Sequence, residues 1–210
     1  EGQTDFAAMC LPNMNQYTAQ YILDQAQLIT NTPSLVAKCR ILQREIKVNP
    51  QFAEILYYAL SEDFTTYIGD TFYVQMQKLV AAEFMLNGEG SINLIEGFAN
   101  FKKLHECLVR KTITGDQRVS AVKNLLARCD RATADLFLRL FAQKLFKNIA
   151  AATVNAAIGY EVIPVWGVQL CKTYDPIKHY AGIDTWYATP KINGFRATYK
   201  NGQLFSRTGK

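Results

Sequence analysis

Gly159 divides this chain into two stretches with different punctuation, and that break constrains the fold more than any other feature. Before it, apolar residues recur at helical spacing between capping signals. Tyr17, Tyr21, Ile22 and Leu28 predict a first helix over residues 15–29. Thr32 and Pro33 predict a stop and a fresh start, Thr32 as cap and Pro33 in the first turn of a helix reaching about Val48. Asn49-Pro50 repeats the signal ahead of Phe52, Ile55, Leu56 and Leu60, and residues 72–86 read as helical. Ser91 is placed to cap a long helix over residues 92–111. Thr114 and Gln117 have capping-box spacing for a helix to about Arg128. Asp130 caps the next, and a short helix after Asn148 stops at Gly159. Beyond Gly159 the residues become β-formers: Val162, Ile163, Val165, Trp166 and Val168, then strands over residues 186–189, 195–199 and 203–206, with Asn201-Gly202 as a hairpin turn. The expected fold is α+β: a flexible leader over residues 1–13, an all-α domain over residues 14–160, and the first strands of a mixed domain over residues 161–210.

Charge follows the same division. Residues 1–100 carry five Lys/Arg against eleven Asp/Glu, whereas residues 101–210 carry eighteen against seven. A basic half points to a polyanionic partner, nucleic acid first, or to an ordinary solvated basic surface. No apolar run approaches the ~20 residues of a membrane helix. The five cysteines are odd in number and lack C-x-x-C spacing, so they read as reduced thiols in a cytoplasm. His105 reads as a helical surface or boundary residue, and the pair Tyr57-Tyr58 as core packing.

One short stretch carries chemistry: Lys191-Ile192-Asn193-Gly194-Phe195-Arg196, followed by Ser206-Arg207-Thr208-Gly209-Lys210. A free lysine titrates near ~10.4 and is inert at neutral pH. Neighbouring cations lower that value and free its lone pair. Arg196 and Arg207 supply such cations and planar forks for phosphate oxygens. Gly194 lets the backbone pass close to a bound group. The set reads as a device for attacking a phosphoryl centre, against the plainer alternative of a surface hairpin turning at Asn201-Gly202.

Lys191 to Arg196 resembles the K-x-D-G-x-R motif of the covalent nucleotidyltransferases, and Ser206 to Lys210 resembles their S-R-x-G motif at the usual separation. Asn193 stands where Asp is commoner, keeping the shape and losing the charge. Gln169-Leu170-Cys171-Lys172-Thr173-Tyr174-Asp175-Pro176 is similar to a segment preceding the nucleophile in bacteriophage-type ATP-dependent DNA ligases. Lys111-Thr112-Ile113-Thr114-Gly115-Asp116 is similar to the basic Thr-Gly loop of their helical domain. Residues 147–155 are similar to their G-x-S-x-x-T-x-N segment, with Asn148 in place of the usual Gly. RNA ligases and capping enzymes lack such a helical domain in front.

The resemblance implies an all-α DNA-binding domain followed by the start of an ATP-grasp-like adenylation domain, the later motifs lying beyond Lys210. It implies that Lys191 attacks the α-phosphate of ATP with Mg2+ present, giving a lysyl-AMP that activates the 5′-phosphate of a nick for sealing by the 3′-hydroxyl. Thr189 would lie beside the adenine, and Arg196 and Arg207 would contact the nucleotide or the 5′-phosphate. Lys111, Thr114, Gly115, Lys147, Ala150 and Ala151 would meet DNA. The implied partner is nicked double-stranded DNA, the implied state a monomer without membrane attachment, and the implied setting the cytoplasm of a bacterium or phage-infected host. The alternatives are a non-catalytic helical DNA-binding module with an inert motif lysine, an RNA ligase, or a structural phage protein sharing the motif by chance. The Ala-rich start of the last helix reads equally as a close helix–helix contact.

Overall fold

The computed structural model describes residues 17–165, 197–200 and 202–206. They fall into two compact units divided between Val165 and Trp166. Among the described residues the first is helical and the second contains a β-hairpin, so the chain is α+β with helix predominating.

Eight helices make up the first unit: α1 (Ala19–Asn31), α2 (Leu35–Val48), α3 (Gln51–Leu60), α4 (Asp70–Asn87), α5 (Leu94–Val109), α6 (Gly115–Ala127), α7 (Arg131–Phe141) and α8 (Ala151–Ile158). A single 3-10 turn, Glu62–Phe64, follows α3. Helix α7 is the axis. Thr133, Ala134, Leu136, Phe137, Leu138, Leu140 and Phe141 are all buried, a broad face that leaves Arg131, Asp135 and Arg139 on the outer side, the last two paired at 3.0 Å. It packs against α1, α3, α5 and α6, while α4 lies on α6 and α8 on α2. Asp130 caps α7 as its sequence predicts, accepting from the Thr133 N–H at 2.8 Å. Gly159 ends α8 in the left-handed region, at φ 88.

Several predicted details shift, each for a physical reason. Helix α1 buries Ala19, Ile22, Ala26 and Ile29, and Leu28 faces outward. Thr32 closes α1: its N–H and hydroxyl both donate to the Leu28 carbonyl, at 3.0 and 2.7 Å. Ser34 then caps α2. Ser91 does not cap α5; Asn93 does, accepting from the Glu96 N–H. Ile92 is held instead in a backbone bridge, its N–H donating to Arg128 O at 3.1 Å and its carbonyl accepting from the Asp130 N–H at 3.0 Å. Residues 162–165 form no strand. The Asn155 side chain fixes them, accepting from the N–H groups of Val162 and Ile163 at 3.0 Å and donating to Ile163 O at 2.7 Å. Asn155→Ala would leave three backbone groups to find other partners. It is expected to lower unfolding free energy by about 1–3 kcal/mol in a urea titration; an unchanged midpoint would mean that water replaces the clamp freely.

His105 departs most from expectation. It is only 1% exposed, not a surface residue. Tyr58, Phe64, Phe101 and Phe141 ring it at centroid distances of 4.9, 5.3, 5.5 and 6.0 Å, and its Nε2 is buried without a partner. Burial pushes its pKa down to about 4 from the ordinary 6.5. The folded protein therefore keeps His105 neutral between those values while the unfolded chain protonates it. Stability from this group is constant above about pH 6.5 and is lost as pH falls toward 4. Between pH 7 and pH 5 the loss amounts to about 2 kcal/mol. His105→Leu is expected to lose that much less over the same interval. Equal pH dependence in the two proteins would refute a neutral buried imidazole.

In the second unit, β1 (Ala197–Lys200) and β2 (Gln203–Ser206) pair antiparallel, with Ala197 opposite Ser206 and Lys200 opposite Gln203. Gly202 adopts φ 82, as the predicted two-residue turn requires.

Candidate nucleotide site and nucleic-acid interface

The nucleotide-site residues Thr189, Lys191, Arg196 and Arg207 lie outside the described residues, as do residues 1–13 and residues 186–189, where a strand is expected. What the structure does fix is the hairpin between the two motifs. Ala197, bonded directly to Arg196, faces Ser206, bonded directly to Arg207. Directly opposed residues in an antiparallel pair have Cα atoms about 5 Å apart. The hairpin thus sets Ala197, the residue that follows the first motif, opposite Ser206, the first residue of the second. Among the described residues no group of three or more His, Cys, Asp or Glu could hold a metal ion.

The residues assigned to DNA form two groups. Lys111, Thr114 and Gly115 occupy the loop from α5 to α6. Lys111 takes φ 56 and Gly115 φ 53, a left-handed conformation that any side chain at Gly115 would strain. Thr114 sits at the cap position of α6, but its side chain makes no capping hydrogen bond, contrary to the capping box expected with Gln117. The leading N–H groups of α6 therefore keep their donors available to an anion. Lys111 extends from this loop with its Nζ 3.9 Å from the centre of the Tyr67 ring.

Lys147, Ala150 and Ala151 belong to the connection from α7 into α8. The Lys147 N–H donates to Thr30 Oγ1 at 3.3 Å, and its side chain is exposed. Ala150 occupies the cap position of α8 without a side-chain capping bond. Asn148 takes φ 59, in the region where glycine is favoured and asparagine tolerated. No hydrogen bond, ion pair or ring contact between described residues joins the two groups.

The charge imbalance along the chain is largely settled within the fold. Lys102 pairs with Glu54, Lys123 with Glu83, Arg131 with Glu89 and Lys144 with Asp70. Each couples the basic half to the acidic half. Residues 17–165 carry sixteen Lys/Arg against fourteen Asp/Glu, so the helical unit is nearly neutral, and residues 166–210 carry seven against two. Polyanion binding by the helical unit therefore depends on where its unpaired cations stand and not on net charge. Among the described residues no helix is long and apolar enough to cross a membrane. Comparison with known protein families, curated proteins and solved structures finds no match to this chain.

Proposed function

We propose that this protein is an ATP-dependent DNA ligase of the bacteriophage type, sealing nicks in duplex DNA through a lysyl-AMP intermediate, with its helical unit as the DNA-binding domain. The observation that carries the reading is the register of β1 and β2, which sets Ala197, next after the first motif, opposite Ser206, the first residue of the second. The left-handed Asn148, at the usual glycine of the ligase segment, supports the reading from the helical side.

In this proposal Lys191 Nζ, deprotonated under the influence of Arg196 and Arg207, forms a bond to the α-phosphorus of ATP as the bond to the β-phosphate oxygen breaks and pyrophosphate leaves. A 5′-phosphate oxygen at the nick then takes the adenylyl phosphorus from Lys191. The 3′-hydroxyl finally attacks the 5′-phosphate, and AMP leaves. Every step concentrates negative charge, which the two guanidinium groups would stabilise. Thr189 would flank the adenine, and magnesium would arrive with the nucleotide, supplying further positive charge. Lys111, Thr114, Gly115, Lys147, Ala150 and Ala151 would position the duplex through its backbone, and the protein would act as a monomer in the cytoplasm of a bacterium or infected host. Mass spectrometry of the full-length protein after incubation with ATP and magnesium tests the reading: one AMP on Lys191 supports it, and none refutes it.

A further inference from the structure

Three cations of the helical unit are carried on aromatic rings supplied by one short stretch of chain. Lys111 Nζ lies 3.9 Å from the Tyr67 ring centre, Arg118 Cζ 4.7 Å from Phe72, and Lys144 Nζ 4.5 Å from Tyr73. The cations come from three different parts of the sequence: the α5–α6 loop, the first turns of α6, and the end of α7. The rings all come from residues 67–73, a stretch that reaches only about 20 Å even when extended. Side-chain and backbone ties hold that stretch in place. Thr66 Oγ1 donates to the Phe141 carbonyl, and the Gln143 side chain donates to Ser61 O at 2.7 Å.

The manner of holding matters. A cation paired with a carboxylate has its charge largely neutralised even where it also lies over a ring, as Lys102 over Phe98, Arg131 over Phe84 and Lys144 over Tyr73 do. A cation over a ring face alone is oriented by the ring quadrupole and keeps its full charge. Among the described residues neither Lys111 nor Arg118 has a carboxylate partner, and the Arg118 Nε is buried without an acceptor. Lys144 is shared with Asp70, which is exposed and able to give way. Between Lys111 and Arg118 stands the uncapped start of α6, where a Cβ on Gly115 would meet nothing within 4 Å. Asp116, in the first turn of α6, opposes an anion there.

We infer that residues 67–73, with Lys111, Arg118 and Lys144, form a phosphate-binding face that takes the backbone of duplex nucleic acid. This rests on the DNA-binding half of the proposed function and names the surface that performs it. Arg118 and Lys144 are new to it; neither belongs to a sequence motif. Cations gathered from three parts of the fold suit a row of phosphates better than one small anion.

The test is fluorescence anisotropy of the full-length protein with labelled nicked duplex over a series of salt concentrations. Lys111→Gln and Arg118→Gln are each expected to weaken binding and to reduce the slope of log K against log salt by about one. Lys111→Arg should keep the wild-type slope, which separates charge from folding damage. Tyr67→Leu leaves the charge and removes the platform, so it should weaken binding about two- to fivefold with the slope intact. Asp116→Asn should tighten binding. If the Lys111→Gln/Arg118→Gln double variant keeps the wild-type affinity and slope, the face is not the contact. If the wild-type protein binds polyglutamate as tightly as duplex, the partner is an acidic polypeptide and the nucleic-acid assignment is overturned. The ligase reading is scored separately, by AMP on Lys191. An adduct with unchanged salt slopes overturns this inference alone; changed slopes without an adduct support the face and remove the ligase reading.

Discussion

Incubated with ATP and magnesium, the full-length protein is expected to gain the mass of one AMP on Lys191, and Lys191→Ala is expected to gain none. The adduct should survive alkali and be lost in acid, because protonating a phosphoramidate nitrogen makes it a good leaving group. Lys191→Arg separates nucleophile from charge. Arginine keeps the positive charge but does not deprotonate in a protein, so it cannot form the bond, and this variant should also be blank. Arg207→Ala makes the complementary point. Its guanidinium would stabilise charge developing at phosphorus without bonding to it, so its loss should slow adduct formation by about a hundredfold and leave the endpoint intact. AMP on any other residue would remove the ligase reading, and the helical unit would then stand as a binding module with an inert lysine.

How far the sequence reveals this architecture depends on whether a feature is decided locally. The Asp130 cap, the Gly159 stop and the hairpin that pairs Lys200 with Gln203 depend on a few adjacent residues, and all three occur where the sequence predicts them. Features decided by distant chain are displaced. Ser91 has the right chemistry for a cap, but Ile92 is committed to a bridge with residues 128–130, which moves the helix start to Leu94. Thr114 stands at the right place, yet the left-handed Gly115 beside it accompanies a cap position with no side-chain bond. The burial of His105 is accessible from spacing, since Phe101, His105 and Leu108 stand at i, i+4 and i+7; its polar identity conceals the period. The opposite charges of the two halves read as a binding signal, and much of that charge is an internal match. Arg118 and Lys144 are illegible as a pair because the rings that collect them lie over 40 residues earlier.

Gly90→Ala is expected to destabilise the helical unit by about 3–5 kcal/mol. A Cβ at Gly90 would stand 2.1 Å from both the carbonyl carbon and oxygen of Arg128 and 2.7 Å from its Cα. These are backbone atoms, so no side chain can swing aside. Either residue 90 or the end of α6 must move. Both movements strike the same structure, for Arg128 O accepts from Ile92 N–H, and Ile92 O accepts from the N–H of Asp130, the cap of α7. Displacing that bridge would loosen the entry to α5 and the cap of the central helix together. In thermal unfolding this corresponds to a fall in Tm of about 10 °C for a chain of this size. Gly88→Ala is the matched control two residues away. Its φ of 78 and ψ of 174 form a combination that is almost confined to glycine, but a Cβ there meets nothing within 4 Å, so alanine should cost about 1–3 kcal/mol from backbone strain alone. The order of the two variants carries the test. If Gly90→Ala melts at or above Gly88→Ala, residues 90 and 128 do not approach as closely as described, and the bridge cannot be what fixes the start of α5.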